Sequence, residues 1–221
     1  MLHSATLKFL KSLKKNNNKA WFDLHRNDYE NAKADFSNFI QVVIAKYGKK
    51  DTTISHLKTK DCMFRINRDV RFSKDKSPYK TNMGAYINRG EKKSIFGGYY
   101  FHCEPGKSFT GGGLWMPMPP ELNKVRQEID YNLKDFKSIL GSKKFKSVYN
   151  DLSRSKEYIL TRVPKGYEPS NPAAEYLKLK SFVALTNLKD SDLESEDLVN
   201  KTIKAFEALQ PLIEFVNEAL E

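Results

Sequence analysis

Arg65, Arg68 and Arg71 stand three residues apart, and Lys74, Lys76 and Lys80 follow them. Within RDVRFSKDKSPYKT (68–81), five cations face two acids, Asp69 and Asp75. A guanidinium binds carboxylate or phosphate through a two-pronged fork, and an ammonium acts as a compact point charge. Several such donors converging with Ser73 and Ser77 would make an anion site, with Tyr79 at its edge. The run CMFRINRDVRF (62–72) alternates in hydropathy and predicts a strand with Cys62, Phe64, Ile66, Val70 and Phe72 on one face. On that strand Arg68 falls in the apolar row, where a lone cation is costly to bury unless paired. Either the strand bulges near Asn67–Arg68, or Arg68 points into a pocket and meets an anion. Asp69 then pairs with Arg68 or holds a neighbouring arginine. The plainer alternative is a solvated edge strand and turn, its lysines discouraging aggregation.

A second constellation is GYYFHCEPG. On a strand, Tyr100, His102 and Glu104 share one face, while Tyr99, Phe101 and Cys103 share the other. A histidine and a carboxylate two residues apart, beside a tyrosine, suit acid and base work, with Asp69 as a further acid. They would also suit two metal ligands, but two ligands do not specify a metal and none is assigned. The bland reading is the polar side of a half-buried strand. A third stretch, FTGGGLWMP, places three glycines in a strand context, which implies a bulge, positive φ, or close approach by a ligand or another backbone, with a structural bulge the default. It lacks the GK[ST] of a phosphate loop. Trp115 beside it is a candidate pocket floor or a packed tryptophan. His25 lies among Phe22 and Tyr29 and reads as a hydrogen-bonded packing residue. Arg162 and Lys165 in TRVPKGY are candidates for a pocket rim.

The elements that must position these residues are legible in outline. Ser4 is placed to cap a helix bearing Leu7, Leu10 and Leu13, ended by KKNNNK. From about Ala20 to Tyr47, the spacing of Phe22, His25, Tyr29, Ala32, Phe36, Phe39 and Val43 predicts one long helix. MGAYIN (83–88), GYYFHCE (98–104) and KSFTGGGLWMP (107–117) read as strands, with RGEKK and the PG turn as boundaries. Connections this short favour antiparallel neighbours. After MPMPP come a helix with Leu122, Val125 and Ile129, two short helices around Gly141, and a loop with one helical turn. SFVALTN (181–187) reads as a last strand. Ser195 is expected to cap a final helix that Pro211 restarts or kinks. With no linker, repeat or low-complexity break, the expectation is one domain, 1–221, of α+β class: a central, mainly antiparallel sheet with helices from both ends packed on it.

Composition narrows the function classes. The chain has 221 residues and a net charge of +11. That charge is uneven: residues 49–93 carry 13 Lys/Arg against 5 Asp/Glu, whereas 190–221 carry 2 against 9. Localised positive charge fits a defined anion site better than a general coating of nucleic acid or membrane. No apolar run approaches the ~20 residues that a bilayer span needs, and no secretory signal is legible. Cys62 and Cys103 read as reduced core thiols of a cytoplasmic protein, and no cofactor is called for.

The order FLKSLKKNNNKAWFDLHRNDYENAK, KDCMFRINRDVRFSKDKSPYKTNMGAYI, GGYYFHCEPGKSFTGGGLWMP and RVPKGYEPSNPAAEYLKLKSF resembles the domain-of-unknown-function family 2461, conserved hypothetical proteins found largely in bacteria. The resemblance spans nearly the whole chain and implies one domain of this length. It implies that Arg65, Arg68, Asp69, Arg71, Phe72, Lys74, Asp75, Lys76, Pro78, Tyr79 and Lys80 belong to the family pattern, with Tyr100, His102, Glu104 and Trp115. Cys103 departs from that pattern, where an aliphatic residue is expected, which argues against a catalytic thiol. The resemblance names no reaction. From the residues, the leading expectation is an enzyme or binder for a small anionic ligand: Arg65, Arg68, Arg71, Lys74, Lys76 and Lys80 hold the anion, and His102 with Glu104 moves a proton. The alternatives are a nucleic-acid-binding module, with basic residues on phosphates and aromatics on bases, and an interaction protein whose basic edge meets an acidic partner.

Overall fold

The computed structural model describes residues 1–90, 92 and 94–221. Two positions of the RGEKK boundary, 91 and 93, therefore lie outside the described residues. Leu7, Leu10 and Leu13 form the buried stripe of α1 (Ser4–Lys15). Its cap is His3, whose Nδ1 accepts the Ala5 N–H at 3.2 Å, so Ser4 begins the helix instead of capping it. Asn18 caps α2 (Lys19–Leu24) by accepting the Trp21 N–H at 2.9 Å. The long helix expected from Ala20 is divided: α3 (Arg26–Tyr47) starts after His25, whose backbone leaves helical geometry. Periodicity misses that break because Phe22, Ala32, Phe36, Phe39 and Val43 are buried on either side of it.

After α4 (Thr59–Cys62), residues 63–82 form no named strand, which corrects the strand expected over 62–72. Two isolated bridges, Met63 to Ala85 and Asn67 to Tyr79, are the pairing this stretch makes among the described residues. Alternation marks faces, but a strand also needs a partner edge, and the second bridge ties the segment to its own downstream end. Phe72 ends 97% exposed and Phe64 42% exposed, not in the core row expected of them.

The strands are β1 (Met83–Ile87), β2 (Gly98–Cys103), β3 (Ser108–Leu114) and β4 (Phe182–Leu188). They form one antiparallel sheet in the order β1-β2-β3-β4, so the chain is of α+β class. Between β3 and β4 lie α5 (Pro119–Tyr131), α6 (Leu133–Gly141), α7 (Lys143–Lys146) and α8 (Ala174–Leu177). After β4 come α9 (Asp190–Leu193) and α10 (Leu198–Glu218). The α10 helix starts at Leu198 and runs through Pro211; Ser195 sits in the turn before it, its hydroxyl accepting the Asp197 N–H at 3.2 Å. Buried Leu209, Leu212, Ile213 and Val216 hold the helix across the proline.

Two compact units are built from these elements. The first comprises Met1–Lys92, Tyr100–Thr110 and Asn187–Ile203. In its core Phe101 packs on Phe39 and Phe36, with ring centroids 4.6 and 6.1 Å away. Asp190 fastens the turn after β2, accepting the Gly106 N–H at 2.7 Å while Lys11 pairs with it at 2.9 Å. The second unit comprises Lys93–Tyr99, Gly111–Thr186 and Lys204–Glu221. Phe136 packs edge-on to Tyr176 and Phe182 there, and the Asn217 amide clamps Gly97, accepting its N–H at 2.7 Å. The triple glycine serves close backbone approach: at Gly113 (φ +116°) a Cβ would stand 2.1 Å from the Phe182 carbonyl oxygen. Cys62 and Cys103 are buried free thiols.

Candidate functional site

Residues 66–80 form a loop pinched at its neck. The Arg68 N–H donates to Pro78 O (2.9 Å) and the Lys80 N–H to Ile66 O (2.8 Å), on either side of the Asn67–Tyr79 bridge. The base of the loop is locked into the first unit by Tyr79, whose ring is buried and stacks on Phe22 with centroids 3.9 Å apart. Asn17 completes the anchor: its amide donates to Tyr79 O (2.9 Å) and accepts the Tyr79 N–H (3.1 Å). Tyr79 is thus a packing residue at the neck.

Above the neck, the loop's cations turn inward. Arg68 Nη1 donates to the Asp75 carboxylate (2.6 Å) and the Ser77 carbonyl (2.9 Å), and its Nη2 to the Ser73 hydroxyl (3.4 Å). Asp75 is held at a pKa of about 2, first by bonds from the Ser77 side chain and N–H and then by Arg68. Arg71 grips Asp69 with both prongs, at 2.9 and 2.6 Å, which lowers the Asp69 pKa. Lys76 donates to the carbonyls of Val70 (3.0 Å) and Arg71 (3.4 Å). The out-of-phase arginine therefore meets its anion inside its own loop. Asp75 is the partner of Arg68, and Asp69 holds the neighbouring Arg71. Lys74 and Arg65 are exposed.

The second constellation has the geometry its spacing implies. Alternation along β2 buries Tyr99, Phe101 and Cys103 and leaves Tyr100, His102 and Glu104 partly accessible on the other face. Burial pushes the Cys103 thiol up to about 12, leaving it inert as a nucleophile. On the accessible face, Tyr100 Oη lies 3.0 Å from His102 Nδ1, and His102 Nε2 lies 3.3 Å from Glu104 Oε2. Because the carboxylate accepts, Nε2 carries the hydrogen and Nδ1 is left to accept from the Tyr100 hydroxyl. Burial lowers the His102 pKa, partly offset by Glu104, and pushes the Tyr100 hydroxyl up to about 12. Phe109 of β3 stacks on the imidazole at 4.6 Å and 11°, fixing its plane. Lys14, from the end of α1, pairs with Glu104 at 3.7 Å.

Contacts continue from this row to part of the basic segment. Phe64 packs edge-on to Tyr100 (6.4 Å), and Lys80 Nζ stands 5.4 Å over the Phe64 ring. Among the described residues no carboxylate pairs with Lys80, whose pKa is lowered by burial and then by the nearby Arg65 charge. Lys14 thus meets this row directly, and Lys80, with Arg65 near it, approaches the row through Phe64. Among the described residues, no contact joins Arg68, Asp69, Arg71, Lys74 or Lys76 to that row. Trp115 belongs to the second unit, half-exposed and edge-on to Tyr158 at 4.8 Å.

Sequence reasoning passed over Lys14, Phe109, Gly84 and Asn17. Gly84 has the most exacting place: a Cβ there would stand 2.6 Å from the Tyr100 hydroxyl. The strand pattern MGAYI carried that signal, since glycine inside a strand marks a close approach. Also unread was a groove of about 830 Å³ between α1 and α3, lined by Trp21, His25, Asp28 and Asp35 among others. Some of its polar groups are committed. Asp35 accepts the His3 N–H (2.8 Å) and the Thr6 hydroxyl (2.6 Å), and His25 Nδ1 donates to Trp21 O (2.8 Å) while its ring stacks on Trp21. No group of three or more His, Cys, Asp or Glu among the described residues is placed to hold a metal ion.

The fold and this row define an α+β protein with a histidine-centred polar face on an antiparallel strand. The family model described as conserved hypothetical protein (DUF2461) matches residues 5–215, and the chain belongs to that family. No curated protein and no solved structure matches the chain. No helix among the described residues is long and apolar enough to cross a membrane.

Proposed function

We propose that the protein binds a small anionic ligand beside the Tyr100–His102–Glu104 row, with Lys80 and Arg65 as the anion-holding cations, and takes a proton from it. The observation that carries this reading is the unbroken hydrogen-bonded row Tyr100–His102–Glu104 on an accessible strand face. Its logic is that of an activated hydroxyl. The Tyr100 oxygen takes a proton from the ligand as its own hydrogen passes to His102 Nδ1, and Glu104 stabilises the imidazolium so formed. Burial makes the imidazole a weaker acceptor, and Glu104 opposes that effect. Lys80 supports the anion half: it is half-buried, next to Arg65, and has no carboxylate partner among the described residues.

An NMR titration of the His102 imidazole with and without inorganic phosphate tests this. A bound anion favours the imidazolium, so phosphate raises the His102 pKa in the wild type and in Arg68→Ala, but not in Lys80→Ala. An unmoved titration, or an equal response in Lys80→Ala, overturns the reading.

A second reading, single-stranded nucleic acid, is favoured by Phe72. Its ring is 97% exposed at the loop tip, with the Arg71 guanidinium 5.8 Å from its centroid and Lys74 exposed nearby in the chain. An aromatic ring offered with cations suits base stacking and phosphate contact. A gel-shift titration against salt decides it: steeply salt-dependent binding that Phe72→Ala weakens supports it, and no binding removes it.

A further inference from the structure

In the second unit, α5 carries an arginine with no carboxylate partner among the described residues. Arg126 is 5% exposed. Its Nη2 donates to the Leu179 carbonyl at 3.1 Å, and its buried Nε has no acceptor among the described residues. No carboxylate among the described residues pairs with it. A guanidinium stays charged at any ordinary pH, and one neutral carbonyl does not offset removal of that charge from water. Buried arginines elsewhere in proteins are matched by an anion that accepts from the guanidinium edge.

Tyr167 supplies a second donor. It is partly buried, its hydroxyl makes no hydrogen bond with a described residue, and its charge and that of Arg126 act on one another. Its position is set by the turn Pro164–Tyr167, closed by the Tyr167 N–H to Pro164 O at 3.2 Å, with Gly166 at φ +95°. Lys165 stands exposed in the same turn. Asp130, tied to the Asn171 amide at 2.7 Å, acts on Tyr167 and sets a limit on how much negative charge the site accepts.

We propose that Arg126 and Tyr167 form an oxyanion-binding site in the second unit, taking one carboxylate or phosphate group on Arg126 Nε and the Tyr167 hydroxyl. This site is separate in its residues from the Tyr100–His102–Glu104 row and stands without it. Burial lowers the Arg126 pKa and, with Asp130, raises that of Tyr167. One guanidinium N–H and one hydroxyl match one oxyanion group, and Asp130, whose charge acts on Tyr167, favours a singly charged carboxylate over a doubly charged phosphate.

The test reads Arg126 directly. A buried Arg Nε–H gives its own ¹⁵N–¹H signal, assigned by its loss in Arg126→Lys. Acetate and inorganic phosphate are titrated separately at constant ionic strength against chloride. The expected result is a saturable shift of the Arg126 signal with at least one of them, weakened several-fold in Tyr167→Phe and unchanged in Lys80→Ala. Saturation by acetate at lower concentration identifies a carboxylate, and the reverse order a phosphate group. A signal that neither anion moves overturns the proposal. So does a shift that Tyr167→Phe leaves intact and Lys80→Ala abolishes, which would place the binding at the other face.

Discussion

In the loop 66–80, Arg68, Arg71 and Lys76 end on Asp75, Asp69 and backbone carbonyls of the same loop; in β2, Tyr100, His102 and Glu104 end on one another while keeping an accessible face. Both segments are rich in polar groups, yet the loop uses its charges to hold a shape and the strand holds its groups ready. The difference lies in what sets the backbone. A loop without ladder hydrogen bonds needs its side chains to satisfy carbonyls and restrain the turn. A strand in the middle of a sheet has its backbone satisfied by its neighbours, so its outward side chains need not serve the fold. Charge density alone therefore does not tell a segment that spends its charges on its own shape from one that keeps an accessible polar face. What marks the strand is a run of titratable groups whose environments are shifted: a lowered histidine beside a raised tyrosine.

The comparison breaks most visibly at the neck. Tyr79→Ala removes a buried ring stacked on Phe22, and large-to-small changes of this kind cost ~3–5 kcal/mol. Chemical denaturation should show that loss, with the loop's amides exchanging freely while the His102 signal persists in the folded fraction. Arg68→Ala keeps the neck and cuts the clasp to Asp75 and Ser77. Amides of 69–77 should then exchange roughly tenfold faster, the scale of one lost hydrogen bond near a charge, with the His102 titration unchanged. If His102 moves, the loop and the strand are one site after all. Tyr100→Phe sharpens the other side. Loss of the donated O–H removes a bond to neutral His102, so the imidazole pKa should rise by up to about one unit, read by NMR.

Acid separates the two regions by pH. The folded His102 pKa lies below the ordinary 6.5, so the unfolded chain binds the proton first. Stability should therefore fall as pH drops below 6.5, levelling off once the folded histidine protonates. Asp75 acts with the same sign in a lower window: its contribution is complete above 3.8 and is lost as pH falls through about 2. The smallest effect follows from it, since Asp75 is exposed: loop amides should loosen only in that lower window. In Asp75→Asn the lower step should vanish and the His102 step remain.

Much of the architecture was legible. Phe22, Ala32, Phe36, Phe39 and Val43 of the stripe over 20–47 are buried as its spacing implies, and β1, β2, β3 and β4 fall where their patterns place them. The errors share a cause. The segment 62–72 alternates as a strand would, but among the described residues no sheet edge pairs with it along its length; the break at His25 depends on the packing around it. For the candidate site, the two-residue spacing of Tyr100, His102 and Glu104 was enough to place them on one face. Lys14, from about ninety positions earlier, and Gly84, on the neighbouring strand, had no local signal tying them to that face. The partner of Arg68 was likewise within seven residues but across a turn, so strand geometry led towards an external anion.

By itself the sequence determined which residues share faces, because period-2 and period-3.6 patterns are properties of the backbone and need no partner to exist. It determined the excess of cations over 49–93 and the burial of both thiols. Only the tertiary structure decided where those charges end. Asp75 takes Arg68, Asp69 takes Arg71, and Lys80 meets no carboxylate among the described residues, because pairing is a matter of distances across turns and between elements that spacing along a chain does not encode.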